Sequence, residues 1–182
     1  LTAMWAVGAL IGFGVAARLL GRQANPYRMC GTALIAGLAA FSAVIFAAPL
    51  ESPALFFVGA GLIGFGGGLF SVATLTAAMT MPADGLAGRG LALGAWGASQ
   101  ATAAGLSIAI GGSLRDSVNS AALSGQWGEA MANATTGYSF VYHTEIALIF
   151  LTLIALGPLV NRRGSRFKLH AETRIGLADF PT

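Results

Sequence analysis

Charged residues are scarce in this sequence. They make up 9% of its 182 residues, whereas a typical soluble domain carries about 25%. Hydrophobic residues make up 55%, and the mean hydropathy is +0.74. A chain with so few charges cannot cover a globular surface with polar groups, which excludes an ordinary soluble domain. The sequence therefore predicts an all-α protein that lies in a membrane.

Groups that catalyse reactions or bind metals are scarce as well. The single cysteine, Cys30, cannot form an internal disulfide and lies in an apolar run, so we interpret it as a small packing residue. We find no carboxylate pair for acid–base chemistry, no His/Cys cluster at metal-ligand spacing and no nucleophile beside a plausible base. We therefore expect no catalytic residues, no metal cluster and no enzymatic activity.

Five apolar runs are long enough to cross the hydrocarbon layer, which requires about 20 residues. Polar or proline-containing segments separate them. We predict five transmembrane helices in a helical domain over residues 1–163, followed by a basic tail over residues 164–182. The predicted spans are residues 2–20, 29–48, 53–79, 90–114 and 138–160.

Basic residues collect on one side of these spans. Nine of the ten lysines and arginines fall there, and Arg115 alone falls on the other side. The positive-inside rule makes the basic side, with the C-terminus, cytoplasmic. The net charge of +3 therefore reflects topology, and nucleic acid is excluded as a partner. Five spans place Leu1 on the opposite side, so we expect the chain to come from the interior of a longer protein.

Glycine is abundant, with 26 residues, and falls at helical spacing in the third and fourth predicted spans. Small residues at this spacing let helix backbones approach closely in lipid. We expect these two helices to be central and tightly packed; the alternative is direct contact with a flat ligand. The glycines expected to pack are Gly61, Gly64, Gly68, Gly90, Gly94, Gly97 and Gly105.

Four side chains in the predicted spans are functional candidates, because polar groups at membrane depth are costly and usually face protein or water. Gln100 lies near the middle of the fourth span, and Trp96 is placed to contact a flat ring. Glu145 lies roughly 10 Å into the last span at ~1.5 Å per residue, close to His143. The functional interpretations are proton coupling by Glu145 and ligation of a pigment's magnesium by His143 or Gln100. The structural alternative is an interhelical hydrogen bond.

Two segments resemble a known family. The run Leu20-Gly21-Arg22, followed by Asn25-Pro26-Tyr27-Arg28, resembles the inter-helix loop of the major facilitator superfamily. Its form is similar to that of the bacteriochlorophyll-delivery branch, the PucC/LhaA-type light-harvesting assembly proteins. The segment 88–116 is similar to the same branch, and the resemblance covers residues 1–163. It implies a tight cytoplasmic turn formed by Gly21, Arg22 and Arg28.

This resemblance also implies a function. The chain would be the C-terminal half of a twelve-helix protein, with the N-terminal half as a partner. That protein would bind bacteriochlorophyll or chlorophyll and deliver it to light-harvesting antenna subunits, acting as a chaperone around a reaction centre. The implied location is the bacterial inner (intracytoplasmic photosynthetic) membrane. Two alternatives stay open: a proton-coupled secondary transporter of a small solute, and a structural subunit retained in a photosynthetic complex.

Overall fold

The computed structural model describes residues 1–80, 85–125, 127–133 and 135–172, with only the backbone described at residues 85–87, 89 and 161–172. The described residues form five α-helices and one short 3-10 helix, Glu129–Met131, and contain no strand. The predicted all-α class is confirmed. The helices are α1 (Thr2–Gly21), α2 (Pro26–Ala47), α3 (Pro53–Met79), α4 (Gly85–Leu123) and α5 (Thr136–Glu172).

Four of the helices are long and apolar enough to cross a membrane: α1, α2, α3 and the Thr136–Val160 segment of α5. Among the described residues, α4 does not reach the same hydropathy. Its apolar run is diluted by Ser99, Gln100 and Thr102 and by several glycines. The chain is thus an all-α membrane protein, and the span predicted at residues 90–114 stays a prediction.

α2 and α3 begin with the same local arrangement. Asn25 caps α2, with its side-chain oxygen accepting a hydrogen bond from the Tyr27 backbone N–H at 2.9 Å, and Pro26 is the first helical residue. Ser52 caps α3, and Pro53 follows it. Cap side chains satisfy free N–H groups at a helix start, and proline suits the first position because its missing N–H would have had no partner there.

The turns before α2 and α3 also close in the same way. Gln23 has a φ of 60° and Glu51 a φ of 46°, both in the left-handed region. After α1, the Ala24 N–H donates to the Leu19 carbonyl at 3.0 Å and the Gln23 N–H donates to the Leu20 carbonyl at 2.9 Å. This pair of bonds satisfies the last carbonyls of the helix, so each helix reverses direction within a few residues.

The turn after α1 contains the residues predicted for it. Gly21 is the last residue of α1, Arg22 caps it, and Arg28 lies in the first turn of α2. All three are exposed. The left-handed residue is Gln23 rather than Gly21, so the glycine does not provide the unusual backbone conformation.

α3 is the central helix of the described residues. It packs along α1 on one side and along α2 on the other, while α5 packs against α2 and α4. α4 also contacts α3 over a short stretch. The most buried cluster lies where α1, α2 and α3 meet and consists mainly of small side chains: Ala16, Met29, Cys30, Ala33, Leu69 and Ala73.

Glycines allow α1 and α3 to touch backbone to backbone. A Cβ added at Gly64 would overlap the carbonyl oxygen of Trp5, and one added at Gly68 would lie 2.5 Å from that of Ala9. The contact is reciprocal, because a Cβ at Gly8 would overlap the carbonyl oxygen of Gly61. Close approach of this kind supplies the van der Waals contact that holds helices together in lipid.

A second glycine face of α3 meets α2. A Cβ at Gly59 would lie 2.5 Å from Val44 Cγ2, and one at Gly66 would lie 3.0 Å from the carbonyl oxygen of Ala33. Glycines on two sides of one helix explain why α3 can be buried between two neighbours.

α4 runs beyond the predicted span. The sequence analysis ended this span before Arg115 and Asp116, yet the helix continues to Leu123 and is followed by Gly125, which has a φ of 78°. Charged residues mark the edge of lipid, but they do not break a helix; a left-handed glycine does. The 39 residues of α4 span about 58 Å at about 1.5 Å per residue, well beyond a hydrocarbon layer of about 30 Å.

Candidate functional site

Trp96 connects α4 to α3. Its side chain is half-buried, and its indole Nε1–H donates a hydrogen bond to Thr74 Oγ1 at 3.2 Å. Thr74 in turn donates to the carbonyl of Phe70 on its own helix at 2.9 Å. Trp96 is therefore anchored at its polar edge. Gln100, one turn further along α4, is exposed.

The middle of α4 is uncovered by the described residues. Every residue from 98 to 110 is exposed, including Leu106, Ile108 and Ile110. Packing was expected at four glycines of α4, but a Cβ built at any of them meets no atom of the described residues within 4 Å. These glycines are Gly90, Gly94, Gly97 and Gly105. Within the described chain α4 is peripheral rather than central, and the packing role of its glycines stays a prediction.

α5 presents two different faces. One face packs on α2: the Tyr142 ring lies 6.0 Å from the Phe41 ring, and Ile149 Cδ1 lies 3.4 Å from the Cβ position of Gly37. Glu145 lies on this side, between Tyr142 and Ile149 in helical register. Its side chain is half-buried and makes no hydrogen bond or ion pair to any residue that the structure describes. It is an unpaired carboxyl between two membrane helices.

The other face of α5 carries His143. This side chain is exposed, and its Nδ1 lies 2.7 Å from the backbone carbonyl oxygen of Ser139, one turn earlier. The four functional candidates therefore do not converge on one site. Trp96 and Gln100 lie on α4, while His143 and Glu145 lie on opposite faces of α5.

A cleft of about 940 Å³ opens between the α2–α3 turn and the start of α5. We call it the α2–α5 cleft. Its apolar walls include Val44, Pro53 and Phe56. Its polar lining consists of Glu51, Ser52, Thr135, Tyr138, Ser139 and Tyr142. Pockets of this size and composition suit a mainly apolar ligand held by a few hydrogen bonds.

Two tyrosine rings line this cleft, and one of them, Tyr138, also contacts Arg115 of α4. Tyr138 stacks on Tyr142 with ring centroids 6.5 Å apart. The Arg115 guanidinium lies 5.1 Å from the centroid of the Tyr138 ring and donates to the Tyr138 hydroxyl at 2.9 Å. Hydrogen bonds to Asp116 and to Tyr138 raise the pKa of Arg115 above its usual value. The guanidinium therefore stays charged, and it links α4 to α5.

Gly137 explains why α4 and α5 meet at this point. A Cβ there would lie 2.7 Å from the Arg115 carbonyl oxygen and 3.1 Å from Asn119 Cβ. The buried Oδ1 of Asn119 has no hydrogen-bond partner in the described structure. Close approach at Gly137 brings Tyr138 within reach of Arg115.

The α2–α5 cleft was not predicted from the sequence, nor was the contact between Arg115 and Tyr138 beside it. From the sequence, Arg115 was interpreted only as a topology signal. The spacing Gly137-Tyr138 at the start of a span, opposite a lone arginine at the end of the preceding one, was the available signal. That spacing could not show which two helices touch.

The described residues contain no group of three or more His, Cys, Asp and Glu side chains that could hold a metal ion. A magnesium tetrapyrrole requires fewer protein ligands than a free metal ion. Four ring nitrogens already hold its metal, so a single axial ligand from the protein is sufficient. A lone neutral imidazole can supply that ligand. His143 has the chemistry for this group.

Residues 1–164 match the family described as PUCC protein. The chain belongs to this family. It is 50% identical over 185 residues to the "Uncharacterized protein in puhA-bchM intergenic region" of Rhodobacter capsulatus, a match that covers 100% of the chain and 38% of that relative. It is 42% identical over 162 residues to Protein PucC of Cereibacter sphaeroides, covering 88% of the chain and 34% of that relative.

A third relative, Protein PucC of Rhodovulum sulfidophilum, is 51% identical over 118 residues, which are 65% of the chain and 26% of that protein. The chain thus spans little more than a third of the length of the curated relatives it matches. No solved structure matches it. The resemblance to PucC-type proteins expected from the sequence is confirmed, and these relatives support a photosynthesis-related membrane protein.

Proposed function

We propose that this chain is part of an assembly factor that binds bacteriochlorophyll or chlorophyll in the membrane and delivers it to light-harvesting antenna subunits. The protein acts by binding and release and catalyses no reaction. The observation that carries the proposal is the match to the PUCC family over residues 1–164, because the family resemblance implies this role.

The geometry supports the proposal through two uncovered apolar faces. The middle of α4 is exposed over residues 98–110, and α5 exposes Phe140, Phe150 and Ile154 on one side. Lipid tails are as apolar as these side chains, so the hydrophobic effect does not drive association here. Recognition then depends on shape and on isolated polar groups, which suits a large flat ligand or a partner helix.

The proposed setting is the bacterial intracytoplasmic photosynthetic membrane, with the C-terminus on the cytoplasmic side. The proposed partners are antenna subunits, a reaction centre and the remaining part of the same parent protein. Each of these would meet the chain within the bilayer, where its uncovered faces lie.

An absorption spectrum of the gently solubilised full-length protein tests this function. We expect chlorophyll-type bands to co-purify with the protein, and we expect deletion of its gene to lower antenna levels. A pigment-free protein together with normal antenna levels in the deletion strain would refute the proposal. Co-purification at fixed stoichiometry with mature complexes would instead favour a retained structural subunit.

Glu145 has no hydrogen-bond or ion-pair partner among the described residues, and this favours a second candidate, a proton-coupled transporter of a small solute. Ionisable residues at membrane depth are expensive and often belong to proton pathways. In a transport assay on the full-length protein, this candidate predicts that Glu145→Gln abolishes the pH dependence of uptake. Uptake that keeps its pH dependence in the variant would exclude Glu145 as the coupling group.

A further inference from the structure

We propose that His143 Nε2 is the axial ligand for the magnesium of a tetrapyrrole pigment that lies flat on the exposed face of α5. This inference rests on the proposed pigment-binding function and assigns it a residue and a surface. It selects His143 over Gln100, which the sequence alone left as alternative ligands for the magnesium.

The hydrogen bond of His143 settles which ring nitrogen is available. A carbonyl oxygen can only accept, so the 2.7 Å contact between Nδ1 and the Ser139 carbonyl requires the proton on Nδ1. In the neutral ring, Nε2 then carries the lone pair. Histidines that bind metals usually donate their other N–H to a backbone carbonyl or carboxylate in this manner, which fixes the orientation of the ring. His143 has this arrangement before any metal is bound.

The surface around His143 is open and apolar. Ala147, Phe150 and Ile154 follow at spacings of four, seven and eleven residues, so they share its helix face. All three are exposed, as is Phe140 one turn before. The small side chain of Ala147 leaves room for a flat ring beside the imidazole, and the two phenylalanines lie on either side of it along the helix.

No charged group among residues 136–160 competes with the imidazole on this face. Glu145 is the only charged residue among residues 136–160, and it lies two positions along, on the side that meets α2. The Thr144 hydroxyl already donates to the Phe140 carbonyl at 3.0 Å. Ser139 and Thr136 precede His143 on this face at the start of the helix, and from residue 140 to residue 160 the imidazole is its single polar side chain. Such a surface recognises a ligand with one coordination site.

The occupant is free pigment rather than pigment held by another protein. His143 Nε2 can coordinate only a magnesium that has an open axial position. A pigment in transit between proteins has such a position, which agrees with a delivery role.

The experiment compares two probes on the full-length protein purified without pigment: bacteriochlorophyll a and its metal-free form, bacteriopheophytin a, both supplied in detergent micelles. Binding is followed by absorption and circular dichroism of the pigment. We expect wild type to bind bacteriochlorophyll at least about tenfold more tightly than bacteriopheophytin, a difference of about 1.4 kcal/mol in binding free energy, because only bacteriochlorophyll offers a metal to His143. In His143→Leu, this preference should disappear.

Three further variants complete the design. His143→Phe also removes the ligand and replaces the leucine variant if that variant does not fold. Both variants should fold, because each places an apolar side chain on an exposed face of a membrane helix. His143→Asn keeps a weaker oxygen ligand and should retain part of the preference. Glu145→Gln lies on the opposite face of the same helix and should behave as wild type.

The outcomes separate this inference from the proposed function. Equal affinity of wild type for the two probes, or an unchanged preference in both His143→Leu and His143→Phe, would overturn ligation by His143 while leaving pigment binding intact. Loss of the preference in Glu145→Gln alone would assign the ligand to the carboxylate. Failure of wild type to bind either probe would instead overturn the proposed function.

Discussion

Single glycines decide how closely the helices of this chain can approach. Gly64 lies against the backbone of Trp5, so an added methyl group has no room, whereas Gly67, three residues on, meets no atom within 4 Å. Both are glycines of the same helix and look alike in the sequence. Their different surroundings follow from which side of α3 faces α1.

The first prediction contrasts these two positions. Gly64→Ala should destabilise the full-length protein by about 1–3 kcal/mol, the usual cost of overpacking. Gly67→Ala should be neutral or slightly stabilising, because alanine favours helix without meeting a neighbour. Thermal denaturation in detergent measures both. Equal effects of the two changes would contradict the backbone contact between α1 and α3.

The residues of the first turn also have roles that their identity does not reveal. The sequence analysis placed a tight turn at Gly21, Arg22 and Arg28, and the chain does turn there. The residue with positive φ is Gln23, and its counterpart after α2 is Glu51. Neither is a residue that favours this conformation, so their roles follow from the hydrogen bonds that close the turn and not from their identity.

At the scale of elements, α3 and α4 looked alike in sequence and behave differently. Both carry glycines at helical spacing, which predicts close packing for both. α3 lies between α1 and α2, while α4 contacts α3 at Trp96 and α5 from Arg115 to Asn119 and is exposed over residues 98–110. A pattern of small residues indicates a helix face that permits close contact, but it does not show which helix packs against that face.

The second prediction concerns the contact between α3 and α4. Trp96→Phe and Thr74→Val each remove one partner of the 3.2 Å hydrogen bond while keeping most of the side-chain volume. A double-mutant cycle should give a coupling of about 0.6 kcal/mol, the average for hydrogen bonds between membrane helices. Unfolding of the full-length protein in a denaturing detergent supplies the four free energies. Strictly additive effects would show that the bond does not join the two helices.

At the scale of the whole molecule, the middle of α4 is exposed over residues 98–110 among the residues that the structure describes. The chain represents 38% of the relative that it matches over its full length, so most of such a protein lies outside it. We expect the glycines of α4 to receive a helix from that remaining part, because a glycine stripe with no neighbour gains none of the contact that it permits.

The third prediction tests this expectation. Gly105→Leu in the full-length protein should lower stability by about 1–3 kcal/mol through overpacking. Ala155→Leu on the exposed side of α5 is the matched control and should have little effect. Unchanged stability with reduced pigment content in Gly105→Leu would instead indicate that a flat ligand occupies this face. Thermal shift and absorption on the same preparations distinguish the two results.

The sequence by itself determined the class of protein and the approximate positions of its helices. Scarce charge and long apolar runs require lipid and helices, since a backbone in hydrocarbon must satisfy its own hydrogen bonds. The family resemblance also lay in contiguous residues, notably 20–28 and 88–116, so it was readable along the chain.

Only the tertiary structure decided which helix is central, which face of α5 is free and where the α2–α5 cleft lies. These features depend on pairs of residues far apart in sequence, such as Gly64 with Trp5 and Arg115 with Tyr138. In an almost uniformly apolar chain, hydropathy cannot distinguish a face that meets lipid from one that meets another helix. The low content of charged residues is enough to identify a membrane protein. For the same reason, the sequence cannot show which helix faces touch, and only the positions of the helices reveal these contacts.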